Sequence, residues 1–281
     1  MRKVDSEIIK NTVKNLILEA NYNIDYDIIK RIKELSTQEE SPIGQEILGI
    51  LLKNYQLAKE EKMPICQDTG VVIIFLEIGQ EVIIQGENLY NTINKAIRQA
   101  YTENYLRASM VYDPVFDRKN TKDNTPGIIY TDIVPGDKIK ISVLIKGGGA
   151  ENMSEVRMLT PTDGIEEIKK FVLERVENSG ANPCPPVVVG IGIGGSFEQC
   201  AILAKKSLLR PIYDKNPDKR YAQLEEQLLK EINKLGIGPQ GLGGRITALA
   251  VKIEVRPCHI ASLPVAVNIN CHAHRHKTAI I

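Results

Sequence analysis

A chain of 281 residues has room for one large domain or two small ones, and 43% hydrophobic with 25% charged residues is the ordinary balance of a globular protein. Thirty-six basic and thirty-five acidic side chains leave a formal charge of +1, which gives no electrostatic reason to expect nucleic acid or a membrane, so small molecules or proteins are the expected partners. The opening MRKVDSEIIKNTVKNLIL lacks the charged-then-apolar plan of a leader and no run of about 18 apolar residues follows, so a cytoplasmic location is expected.

Val4, Ile8, Ile9, Val13, Leu16 and Ile17 recur at helical spacing, and the pattern repeats over 28–35 and 43–58. Ser41-Pro42 reads as an N-cap with proline at the first helical position, so the spacing predicts a helical cap over about residues 1–62. VVIIFLEIG, directly after MPICQDTG, reads as a buried strand, and a helix is expected from Leu89 to about Leu106. VPGD at 134–137 is a β-turn signal, which makes the surrounding stretch a strand pair ending in Gly147–Gly149. Helices follow between Asp163 and Gly180, from Ser196 to Pro211 and from Asp218 to Gly236, with strands at VVVGIGIGG, ITALAVKIEV and ASLPVAVNIN. No repeat or linker divides the chain. The expectation is one α+β domain over 1–281, with the helical cap packed on a mixed α/β region rich in glycine loops.

Chemistry-bearing residues crowd three places. Gly190, Gly192 and Gly195 satisfy G-x-G-x-x-G between a strand and a helix, the context of a dinucleotide fold, but Pro211 and Pro217 interrupt the second strand that fold requires. Tight strand-to-helix packing is the alternative. Glycines at 147–149, 190–195 and 236–244 also fit backbone nests that hold carboxylate oxygens. The ending CHAHRH, with His272, His274 and His276 two apart, offers a zinc site or a solvated tail.

The five cysteines are too sparse for a secreted disulfide scaffold, so reduced thiols are expected. Cys200 sits in an apolar helix face and reads as a buried hydrophobe. Cys66, Cys184 and Cys271 lie at polar or proline-flanked loop ends, in CQDTG, NPCPP and NCHAH, where thiolates serve as ligands or nucleophiles. From the residues alone this is a candidate three-thiolate metal site.

PICQDTG, KGGGAENMS, NPCPPVVVGIGIGGS, GIGPQGLGG and the CHAHR ending, in that order from about residue 5 onward, resemble the α-type region of class I fumarases and L-tartrate dehydratases, which are iron–sulfur hydro-lyases. The resemblance implies a [4Fe–4S] cluster held by Cys66, Cys184 and Cys271, with one iron left open as a Lewis acid for a dicarboxylate substrate. By the same resemblance Gln67 and Asp68 contact substrate, Asp68 takes part in proton transfer, Arg107 clamps a carboxylate, Gly148 offers a backbone contact, and His259 is an active-site histidine. Single-chain family members continue into a second domain, so a chain ending at Ile281 is expected to be an α subunit that needs a separate β subunit. Ala150–Ser154 resembles the fumarase form, which favours fumarate and L-malate over L-tartrate. A zinc-binding scaffold and a dinucleotide-dependent oxidoreductase are the readings from other classes.

Overall fold

In a computed structural model that describes all 281 residues, the chain is an α+β protein. Its elements run β1 (Arg2–Asp5), α1 (Ser6–Tyr22), α2 (Tyr26–Ser36), α3 (Pro42–Glu61), β2 (Val71–Gly79), β3 (Val82–Gln85), α4 (Leu89–Glu103), β4 (Ile128–Val134), β5 (Ile139–Lys146) and the single turn α5 (Gly148–Glu151). They continue as β6 (Glu155–Leu159), α6 (Gly164–Ser179), β7 (Val187–Gly194), α7 (Phe197–Ser207), α8 (Lys219–Ile232), β8 (Ala248–Arg256), β9 (Leu263–Asn270) and β10 (His276–Ile280). Two compact units result: Met1–Ile24 with Tyr55–Gly148 and Arg275–Ile281, and Asp25–Asn54 with Gly149–His274.

The three N-terminal helices divide between these units. α1 lies in the first unit, α2 in the second, and α3 crosses the boundary, because each stripe has its own core to cover. Ile9, Val13 and Ile17 of α1 join Ile93, Ala96 and Ile97 of α4 over the first unit's sheet, whereas α2 packs against β8 and its Arg31 Nε donates to the Leu249 carbonyl at 3.1 Å.

The first unit holds a four-stranded sheet in the order β10-β5-β2-β4, with β2 antiparallel to β5 and parallel to β4, and a parallel pair β1-β3. The strands flanking VPGD are consecutive but not paired, because β2 lies between them. The reason is burial. β2 and β5 are buried on both faces and take the centre, while β4 is largely exposed and takes an edge.

The second unit's sheet has the order β6-β9-β7-β8, with β7 antiparallel to β9 and parallel to β8. VVVGIGIG alternates: Val187, Val189, Ile191 and Ile193 pack toward α6 and α8, which leaves Gly190 and Gly192 on the face toward α7. A Cβ on Gly190 would lie 2.2 Å from the Ala204 carbonyl oxygen, and one on Gly192 2.0 Å from that of Cys200. These glycines let α7 rest directly on the strand. That is the packing alternative to a dinucleotide loop, and both stand inside β7 rather than in the turn after it.

Strand direction decides which loops gather. Val188 pairs with Asn270, Val187 with Ala248, and Glu155 with Val267. The segments 149–154, 181–186 and 236–247, which precede β6, β7 and β8, therefore share one end of the sheet with the segment that follows β9.

Candidate functional site

In the second unit, Cys184 stands three residues before β7 and Cys271 directly after β9, so antiparallel pairing brings both to that shared end. The His272 N–H donates to the Cys184 carbonyl at 3.2 Å and joins the two segments. Cys184 has φ +53°, a left-handed conformation uncommon outside glycine, and its N–H donates to the Ala181 carbonyl at 2.9 Å. Gln240, in the glycine-rich loop, donates both its N–H and its Nε2 to the Pro185 carbonyl, at 2.8 and 2.9 Å. The glycine-rich loop is thereby tied to the cysteine loop.

That glycine-rich loop folds over a buried carboxylate. Glu39 is 3% exposed, and its oxygens accept the N–H groups of Ser41, Arg245 and Ile246 at 2.8 to 3.0 Å. Burial pushes this carboxyl upward, but the backbone donors outweigh it and hold the group below the usual carboxylate range. Gly244, at φ +123°, leaves room for it, since a Cβ there would stand 2.6 Å from Glu39 Oε1.

The turn after β9 is closed by Asn270 Nδ2 and His274 Nδ1, 2.7 Å apart, around Cys271. Asn270 and His274 are each 1% exposed. β10 starts only at His276, so the three terminal histidines do not share one strand face.

The first unit places Cys66, Gln67 and Asp68 in the loop before β2. Cys66 Sγ donates to Gln67 Oε1 at 3.3 Å. Asp68 is fixed on every side: Oδ1 accepts the Gly70 N–H at 3.0 Å, Oδ2 accepts the Gly148 N–H at 2.8 Å, and its carbonyl accepts Arg275 Nη1 at 2.8 Å. The Gly148 N–H is thus paired with the Asp68 carboxylate, which the β5 exit passes. Tyr101 Oη donates to the Thr69 and Gly70 carbonyls at 2.6 and 3.0 Å, and Asn124 Nδ2 donates to the Gly70 carbonyl at 3.0 Å. Burial pushes the Tyr101 phenol well up, so it stays a neutral donor. Thr69 Oγ1 donates to the Arg107 carbonyl at 2.9 Å, which sets the exposed Arg107 beside this loop.

His259 does not join Cys184 and Cys271. It lies in the turn between β8 and β9, at the opposite end of the second unit's sheet, because the eight-residue β9 runs between it and Cys271. At about 3.3 Å per residue that strand alone spans roughly 26 Å. The His259 Nδ1 accepts the Ala261 N–H at 3.1 Å, within its own turn.

The donor chemistry fits an iron–sulfur cluster. No cysteine is in a disulfide; Cys66 and Cys271 are partly exposed and Cys184 is exposed, whereas Cys200 is fully buried against Ala204 and Ala266. Soft thiolates on solvent-reached loops suit such a cluster. No group of three or more His, Cys, Asp or Glu converges as a single ion requires.

Asn21, Glu39, Tyr101, Asn124 and Arg275 were not singled out by the sequence. Asn124, at φ +61° within a polar loop, carried the one local signal.

The sequence profile of the fumarate hydratase (Fumerase) family matches residues 10–280. A Methanocaldococcus jannaschii protein provisionally named L(+)-tartrate dehydratase subunit alpha is 44% identical over 273 residues, covering 95% of each chain. The L(+)-tartrate dehydratase subunit alpha of Escherichia coli O157:H7 is 37% identical over 91% of this chain and 84% of its own, and that of Escherichia coli K12 is 36% identical over the same shares.

Proposed function

The chain belongs to the fumarate hydratase family, and from that premise we propose that it is the α subunit of an iron–sulfur hydro-lyase acting on a dicarboxylate, with Cys66, Cys184 and Cys271 as the cluster ligands. The observation that carries this reading is the gathering of Cys184 and Cys271 at one sheet end under a glycine-rich loop, together with relatives named as tartrate dehydratase α subunits. Those names favour L-tartrate as substrate. The fumarate preference drawn from Ala150–Ser154 therefore becomes the second reading, supported by the description of the family profile.

When bound, a cluster held by three thiolates supplies a Lewis-acidic iron for the hydroxyl and carboxylate of the substrate. The remaining work falls to the chain. Dehydration takes a proton from the carbon beside a carboxylate, and Asp68, already oriented by two N–H donors, presents its remaining lone pairs for proton transfer. Arg107 supplies a planar fork for a substrate carboxylate. Gln67 binds beside Cys66, and Gly148 acts through Asp68. A β subunit completes the enzyme, in keeping with the subunit names of the relatives.

The test is co-expression with the candidate β subunit, anaerobic assembly of the cluster, and parallel assays on L-tartrate, L-malate and fumarate. Turnover of L-tartrate well above the others is the expected result. Turnover of malate and fumarate alone selects the second reading, and turnover of none, by a cluster-loaded complex, contradicts the proposal.

A further inference from the structure

The segment that carries Cys66 and Asp68 is held on one side by Asn21 and on the other by a buried cation bonded to that same asparagine. On one side the Ile65 N–H donates to the Asn21 carbonyl at 2.9 Å. On the other, Arg275 Nη1 donates to the Asp68 carbonyl at 2.8 Å, and the same nitrogen reaches Asn21 Oδ1 at 3.2 Å. Asn21 is itself pinned, since its Nδ2 donates to the Ile17 carbonyl at 2.9 Å in the last turn of α1. One guanidinium nitrogen thereby links the residue that anchors Ile65 to the residue two positions after Cys66.

Nothing about this arrangement is cheap. Arg275 is 2% exposed and Asn21 fully buried, and a charged group is retained in such surroundings only with hydrogen bonds in place. The backbone of Arg275 is also fixed, because its carbonyl accepts the Ile145 N–H at 2.9 Å at the start of the β10–β5 pairing. Gly147 leaves space beside the Asp68 carboxylate, since an added Cβ would stand 3.2 Å from Asp68 Oδ2. The segment leading into β10 thus delivers a guanidinium to a loop that belongs to no helix or strand.

We infer that Arg275 is a positioning residue for the Cys66–Asp68 loop, setting the thiol and the carboxylate in place for cluster binding and proton transfer. The inference rests on the proposed function for what that loop does, but the anchoring itself stands on the contacts above. Both contacts come from Nη1, which the planar guanidinium holds between the two acceptors; a lysine at 275 keeps the charge on a shorter, flexible stem and does not hold one nitrogen in that place.

The experiment uses the full chain with its β subunit and compares wild type with Arg275→Lys and Asn21→Ala. Four quantities are read: melting temperature, hydrogen–deuterium exchange over residues 65–70, iron per chain after anaerobic assembly, and kcat and KM on the dicarboxylate that wild type turns over. Arg275→Lys is expected to remain folded, to exchange about tenfold or more faster over 65–70, and to lose roughly 10 to 100-fold in kcat with KM changed less, as misplacement of a reacting group requires. Asn21→Ala, which keeps the cation and removes one acceptor, should move exchange in the same direction by less, and it decides the matter if Arg275→Lys fails to fold. Unchanged exchange over 65–70 in a folded variant overturns the inference, and so does unchanged kcat in a loosened one. If wild type takes up no iron and turns over no dicarboxylate, the functional reading fails, while the exchange data still report whether Arg275 holds the loop.

Discussion

The two ends of the second unit's sheet carry similar residue types and are built differently. At one end Cys184 and Cys271 stand beside a glycine-rich loop. His272 donates to Cys184, Gln240 to Pro185, and the buried Glu39 receives the loop's own N–H groups, so each segment is held by another. At the other end Cys258 and His259 occupy a turn whose bonds are all local: Cys258 Sγ to the Ser262 carbonyl at 3.3 Å, and the Ala261 N–H to His259 Nδ1. A cysteine or histidine becomes a candidate for function by the convergence of separate segments around it. Its type, or its nearness in sequence to another such residue, is not sufficient.

Substitutions at the two ends should therefore have unequal effects. The largest is expected at the convergent end. Cys184→Ala or Cys271→Ala should abolish iron uptake and reduce turnover by more than about 100-fold, since even the partners of metal ligands cost about 10 to 100-fold when removed. Iron analysis and steady-state rates read this directly. Glu39→Gln comes next. It leaves buried N–H groups of the glycine-rich loop poorly paired at about 1–3 kcal/mol, seen as a lowered melting temperature. Because the Glu39 carboxyl is held below the ordinary range when folded, its contribution is present in full above the unfolded value near 4.5 and is lost as pH falls through the folded pKa. The melting-temperature gap between wild type and Glu39→Gln should thus close in acid, and a gap that widens there would contradict the assignment. The smallest effect belongs to the other end: His259→Ala is expected to leave iron content unchanged. Lost iron in that variant would break the comparison.

Much of this was legible in the sequence because it rests on local periodicity. The apolar spacing of Ile9, Val13 and Ile17 marked α1, and the continuous run VVIIFLEIG marked a strand buried on both faces. What was not legible depends on partners distant in the chain. Consecutive strands around VPGD suggested a hairpin, but the demand of β2 and β5 for cover on both faces put them side by side and left β4 at an edge. β1 and β3, four residues each, are too short to show a period. Among the candidate site residues, Cys66, Cys184 and Cys271 stood out through their flanking residues. Arg275 was hidden inside a histidine-rich tail, and Asn21 inside an amphipathic helix; their meaning lies in bonds to Asp68 and Ile65 that no spacing reveals. The place of His259 was not legible either, since its twelve residues of separation from Cys271 include a full strand.

The central claim, that three of the five cysteines hold one cluster, is tested most directly by anaerobic reconstitution of the chain with iron and sulfide, using Cys66→Ala, Cys184→Ala, Cys271→Ala and Cys258→Ala beside wild type. The account predicts a brown protein with about four irons per chain for wild type and Cys258→Ala, and colourless, iron-poor protein for the other three. Full iron uptake by any of those three, or its loss in Cys258→Ala, would contradict the account.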